Sequence, residues 1–161
     1  MPLLIDRQLV NDDSWQLVEE ADALPQSGDL LLPLALYNEL AGNLAGRRVA
    51  LRINGDDELS SVLEALERFP MIAIEFPIFR DGRGFSLARM LRRAGYQGEL
   101  RAVGNPARDQ LGYLERCGFN AFQFADEAFS EEFLNAFGEI SVRYQGSSDD
   151  PRPVYLQNQQ N

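Results

Sequence analysis

The chain of 161 residues contains no histidine and no lysine, and Cys117 is its only cysteine. These absences remove whole classes of chemistry. Without histidine there is no Ser-His-Asp or Cys-His nucleophile and no His-ligated haem, and one thiol cannot build a structural zinc site or an iron-sulfur cluster. The missing lysine excludes Schiff-base catalysis and the phosphate-binding lysine of Walker-type loops. An intramolecular disulfide is impossible, which agrees with a reducing compartment. Long apolar runs are also lacking: the densest, Leu30 to Leu36, is broken by Pro33 and falls far short of the roughly 20 residues of a bilayer span. Met1 to Arg7 has no basic run followed by an apolar stretch and a cleavage site, so no export signal is expected. The expectation is therefore a cytoplasmic protein with no membrane segment, no metal and no cofactor of its own.

Carboxylates, arginines, hydroxyls and backbone amides remain for chemistry. The 45% apolar fraction is that of a globular chain and too high for a disordered one. Charge is unevenly spread. Residues 1–46 carry one arginine against eight acids, and residues 117–161 carry two against seven, whereas eight arginines lie between Arg80 and Arg116 against four acids. A net charge of -10 repels nucleic acid at long range, so no nucleic-acid partner is expected, but the arginine-rich middle permits a local anion site.

Along the chain a short apolar strand followed by a helix with apolar residues three and four apart recurs about five times. The strands are Leu30–Leu32, Val49–Ile53, Met71–Phe76, Leu100–Val103 and Ala121–Phe124. The helical stripes are Tyr37, Leu40, Ala41 and Leu44; Leu59, Val62, Leu63 and Leu66; Leu87, Met90, Leu91 and Ala94; Ala107, Leu111 and Leu114; and Phe133 with Phe137 after a Ser130 cap. Asn105-Pro106 reads as a cap followed by proline at the first helical position. Arg93-Ala94-Gly95-Tyr96 and Arg116-Cys117-Gly118-Phe119 echo each other as helix ends, each with a left-handed glycine and an aromatic folding back.

This pattern predicts an α/β fold with about five strand-helix units on a mostly parallel sheet. Either an open sheet with helices on both faces or a partial β/α barrel, completed by a hairpin or a second subunit, would satisfy it, with the open sheet slightly favoured. Residues 1–145 are expected to form a single α/β domain. Residues 1–29 are its acidic N-terminal hairpin segment, with Leu3–Ile5 and Trp15–Val18 as strands around the turn Asn11–Asp13. Residues 146–161, polar and proline-punctuated, are expected to form a flexible tail. A monomer or homodimer is expected.

In such folds ligands bind at the loops after the strands' carboxyl ends. Two of these loops stand out. Phe79 to Ser86 joins Arg80 and Arg83 to Gly82 and Gly84 just before a helix, where free amides favour an anion, and Arg108 opens the helix after the next strand. Arg80, Gly82, Arg83, Gly84 and Arg108 are therefore the candidate anion-binding residues, their forks suiting a small oxyanion. An ordinary tight turn would also use Asp81-Gly82 and Arg83-Gly84. Glu75, inside an apolar strand, and Asp81 are the candidate catalytic acids or bases. Glu75 could equally be the ion-pair partner of Arg101 on the next strand. Cys117 continues the Leu111, Leu114 spacing and reads as a packing residue.

The residues Phe76-Pro77, Asp81-Gly82-Arg83-Gly84-Phe85-Ser86-Leu87-Ala88-Arg89, Gly95 to Ala102, Arg108-Asp109-Gln110-Leu111 and Arg116-Cys117-Gly118-Phe119 carry a resemblance. From Phe76 to Phe122, and weakly over most of the chain, the sequence resembles the proteobacterial domain-of-unknown-function family nine-three-four. Genes of that family commonly neighbour the gene for the sulfite reductase haemoprotein, and members are sometimes labelled oxidoreductase without an established reaction. The resemblance therefore implies a setting in sulfur assimilation and names sulfite reductase as a partner, while implying no mechanism. Many members have lysine where this chain has Ile78 and a small hydroxyl residue where it has Arg80, so a conserved cation in that loop does not carry over.

Two functions follow as expectations. The first is an accessory or docking protein for sulfite reductase. The alternative is a small oxyanion-binding enzyme or sensor, of oxidoreductase type by the family's labelling, using the arginine-rich strand ends.

Overall fold

The computed structural model describes residues 1–76, 82–104 and 106–124. The candidate residues Arg80 and Asp81, the Ser130 helix with Phe133 and Phe137, and the tail at 146–161 lie outside the described residues.

The strands are β1 (Leu3–Ile5), β2 (Gln8–Val10), β3 (Trp15–Leu17), β4 (Asp29–Pro33), β5 (Val49–Ile53), β6 (Met71–Glu75), β7 (Glu99–Val103) and β8 (Ala121–Gln123). Helices α1 (Leu34–Leu40), α2 (Ser60–Leu63), α3 (Arg83–Arg93) and α4 (Leu111–Cys117) fill the connections from β4 to β8. The sheet runs β2-β1-β8-β7-β6-β5-β4-β3, parallel from β3 to β8, with β1 antiparallel to both β2 and β8.

This order corrects the preference for helices on both faces. From β3 to β8 each strand lies beside the one before it with no reversal, so right-handed crossovers keep every helix on the same side. Alternate strand residues bear this out. Leu51, Ile53, Ile72, Ile74, Leu100, Ala102 and Phe122 share a core with Leu87, Leu91 and Leu114 of the helices, while Leu31, Ala50, Met71 and Ala73 form a separate cluster on the other face. The result is an open, curled half-barrel.

Chain geometry requires the curl. Eight strands spaced about 4.8 Å apart would hold the two edges about 33 Å apart in a flat sheet. The segment from Val10 at one edge to Trp15 at the other spans at most about 18 Å fully extended, so the edges must bend toward each other. The intervening strap, Asn11 to Ser14, crosses the concave side, where Arg101 of β7 grips Asp13.

The N-terminal hairpin is present, but not between the expected strands. Its arms are β1 and β2, joined at Asp6 (φ 49°) and Arg7 (φ 65°), two left-handed residues as a tight hairpin turn requires. Contacts to the far end of the chain hold this turn: the Asp6 amide donates to the Asn120 carbonyl at 2.8 Å, and Arg7 Nε donates to Glu115 at 3.0 Å. Trp15–Leu17 instead pairs in parallel with β4 at the opposite edge.

Four strand-helix pairs lie among the described residues, and the helix expected after Ser130 lies outside them. Two stripes shift. In α3 the buried positions are Gly84, Leu87, Ala88 and Leu91, while Met90 and Ala94 are exposed. The helix expected from Pro106 begins with a 3-10 turn at Arg108–Gln110 and becomes α-helical only at Leu111. Both echoed helix ends hold. Gly95 (φ 96°) and Gly118 (φ 118°) are left-handed. The next amide, of Tyr96 or Phe119, reaches back to Leu91 or Leu114 at 3.1 or 3.2 Å, and both aromatic rings are buried. Arg92 ties the two ends together, donating to the carbonyls of Tyr96, Gly98 and Gly118. Cys117 is fully buried, as its spacing predicts. Among the described residues no helix is long and apolar enough to cross a membrane.

Candidate functional site

Parallel pairing brings the carboxyl ends of β3, β4, β5 and β6 to one rim, and a cavity of about 250 Å³ opens there. Glu19, Leu34, Arg52, Asn54, Asp57 and Glu75 are among its lining residues. Arg52 is the penultimate residue of β5 and projects from the concave face, because Leu51 and Ile53 on either side of it face the helices. Its Nη1 donates to Glu19 Oε1 at 2.9 Å and its Nη2 to Glu75 Oε1 at 2.5 Å. Burial lowers the pKa of this guanidinium, but hydrogen bonds and charge from Glu75 and then Glu19 outweigh it and leave the pKa raised.

The two carboxylates hold Arg52 differently. Glu75 ends β6, with a side chain 30% exposed, whereas the Glu19 side chain is 66% exposed and lies beyond the end of β3. Asp57 belongs to the loop after β5 and accepts the Asn54 amide at 2.8 Å, while Asn54 Oδ1 accepts the Asp56 amide at 2.8 Å. The loop closes on itself in this way.

The expected pairing of Glu75 with Arg101 is not what forms. Arg52 and Arg101 lie level with each other on either side of Ala73. Glu75 pairs with Arg52, and Arg101 takes Asp13 and Glu99. Arg101 is 1% exposed. Burial lowers its pKa, but the Asp13 hydrogen bonds and the charges of Glu99 and Asp13 outweigh it and leave the pKa raised.

The remaining candidates among the described residues lie around the same rim. Gly82 and Arg83 open α3 after β6, and Arg108 opens the 3-10 turn after β7. The two segments therefore share one edge of the sheet. The Arg83 guanidinium leans toward β5, with Nη1 2.5 Å from Asp56 Oδ1. It crosses Gly55, where a Cβ would meet Arg83 Cβ at 2.8 Å and Nε at 2.7 Å. Gly84 is buried, and a Cβ there would meet the Phe76 ring at 2.4 Å. Its small size lets α3 settle on β6.

Sequence reasoning singled out Glu75 but passed over Arg52, Glu19 and Asp57. The signal for Arg52 was the same as for Glu75: one charged residue inside an otherwise apolar strand. Glu19 had no such signal, since the acidic segment holding it is full of alternatives.

No curated protein and no solved structure matches the chain. A family model matches residues 50–155, a span that includes Arg52, Asp57 and Glu75 of the rim and leaves Glu19 outside. Over that span the sequence fits the model of the bacterial proteins of unknown function designated DUF934, and the chain belongs to that family.

Proposed function

We propose that the protein binds a small molecule through an anionic group at the carboxyl rim of its half-barrel, as an enzyme or a sensor, with Arg52 as the anchor. One observation carries this reading. Arg52 stands in a cavity with a half-buried carboxylate, Glu75, fixing one side of its fork and an exposed carboxylate, Glu19, on the other. An exposed ion pair is weak, so a ligand carboxylate or oxyanion can take the place of Glu19 while Glu75 keeps the fork oriented. Glu75 has a second oxygen available for a proton. Arg83 and Arg108, with the amides after Gly82, add positive potential to the same rim, and Arg80 and Asp81 belong to this reading as sequence-based candidates.

A thermal-shift series with acetate, sulfate, sulfite and phosphate, together with small metabolite acids, tests it, because a ligand that binds only the folded state must stabilise it. The expected result is stabilisation by at least one of these that is lost in Arg52→Met. A flat response, or one unchanged by that substitution, overturns the reading.

Docking to a larger partner is the second reading, with sulfite reductase as the partner that the sequence resemblance names. Met90 and Tyr113, on the adjacent helices α3 and α4, are 40% and 46% exposed, and Arg89 lies over the Tyr113 ring at 5.9 Å. Aromatic and Arg side chains are the usual anchors of protein interfaces. Co-elution with sulfite reductase, lost in Tyr113→Glu, is the expected outcome. Separate elution with unchanged sulfite turnover counts against it.

A further inference from the structure

The cavity that anchors Arg52 has one cation and three carboxylates in its walls: Glu19, Asp57 and Glu75. That balance makes a bare anion a weaker ligand than one that also offers a positive group. Even with Glu19 displaced, an incoming carboxylate would meet Arg52 already half-neutralised by Glu75, with Asp57 adjacent. A simple cation fits no better, because it leaves the Glu19 contact in place and gains nothing from Arg52.

Among the described residues the hydrogen bonds leave a definite set of acceptors open. Glu75 uses Oε1 on Arg52, Asp57 uses Oδ2 on the Asn54 amide, and Glu19 uses Oε1 on Arg52. The other oxygen of each carboxylate makes no hydrogen bond. An ammonium group carries three N–H donors and no acceptor, and thus fits such a wall. Among the described residues no three acidic or thiol side chains are arranged to hold a metal ion. A volume of about 250 Å³ lies below the roughly 300–1,000 Å³ of drug-sized pockets, which suits a small ligand.

Building on the rim-binding reading, we infer that the ligand is a small zwitterion of the amino-acid type. Its carboxylate replaces Glu19 on Arg52 Nη1, and its ammonium lies against Asp57 and Glu75. Glu19 then acts as an internal stand-in for the ligand carboxylate, occupying the anchor until displaced. The cavity's apolar lining comes from Pro33, Leu34, Ala35 and Ile53, which favours a short aliphatic side chain.

Calorimetric titration of the full chain with L-alanine and L-serine, against propionate, ethylamine and sulfate, tests the assignment. The expected result is that the amino acids bind and that loss of either charged group weakens binding at least tenfold. Asp57→Asn should erase the advantage of L-alanine over propionate. Glu19→Gln, at a side chain too exposed to threaten folding, should tighten L-alanine binding several-fold by removing the internal competitor. If propionate or sulfate binds as well as the amino acids and Arg52→Met abolishes it, the zwitterion assignment fails while the rim site survives. If binding persists in Arg52→Met, or none of the probes binds, both fail.

Discussion

Arg52 and Arg101 stand level on the concave face of one sheet, separated only by Ala73, yet they have opposite characters. Arg101 is closed off by the strap from Asn11 to Ser14 and satisfied by two carboxylates, with Nη1 2.7 Å from Asp13 and Nε 2.7 Å from Glu99. Arg52 is equally provided with carboxylates but opens onto a cavity, and one of its partners is largely in water. The same residue type, on the same face and at the same height, is a structural clasp under the strap and an accessible anchor away from it. Cover decides the role, because desolvation strengthens a pair and also makes either partner costly to leave alone.

Arg101→Met tests the clasp and should have the largest effect. It leaves Asp13 and Glu99 facing each other without a cation, and loss of a partner from a buried pair costs about 3 kcal/mol or more. For a chain of this size that lowers Tm by about 6–12 °C. A melting temperature within a degree of the parent would break the comparison. Asp13→Ala leaves Arg101 one partner and releases the strap, so a loss of about 2 kcal/mol is expected, with faster hydrogen exchange confined to β2, β3 and the segment between them. Uniform exchange across the sheet would instead mean that the strap is not held by this contact.

The rim arginine should behave differently. Arg52→Met is expected to cost about 1 kcal/mol or less in chemical denaturation, because its pairs are partly solvated, while abolishing the ligand response. A cost equal to that of Arg101→Met would make Arg52 a second clasp and remove the contrast. Glu19→Gln should be the mildest, within about 0.5 kcal/mol of the parent, and should leave the cavity open to ligand. A large stability loss there would mean that Glu19 is part of the framework.

The sequence carried most of the local structure. Val49–Ile53 could be read to the residue because a short apolar run ends in the turn residues Asn54-Gly55. The helix ends at Gly95 and Gly118 were legible because glycine before an aromatic is a local device needing only the last turn of its own helix. The register of α3 was less clear, since Met90 and Ala88 are both apolar and only contact with β6 decides which is buried. The 3-10 start at Arg108 was also missed, as proline at 106 fits either helix type.

The site was half legible. A glutamate in an apolar strand is visible as an anomaly, and Glu75 indeed lies in the rim cavity. Its partner was misassigned, because Arg52 and Arg101 flank Ala73 equally in register and the choice depends on where the strap has already placed Asp13. The Trp15 strand was misassigned for a related reason: it lies close in sequence to β1 but pairs at the opposite edge, and hydrophobic pattern carries no information about which edge a strand takes.

By itself, the sequence determined an α/β chain of strand-helix units, the positions of most strands and two helix ends, and the exclusion of histidine-, lysine- and disulfide-based chemistry, all consequences of residue type or local spacing. Only the tertiary structure decided that the sheet curls into a half-barrel, that one arginine is sealed and the other open, and that Glu19 joins Glu75 across 56 residues of chain. Those outcomes depend on which distant segments share a sheet edge, a property of strand order that local spacing does not encode.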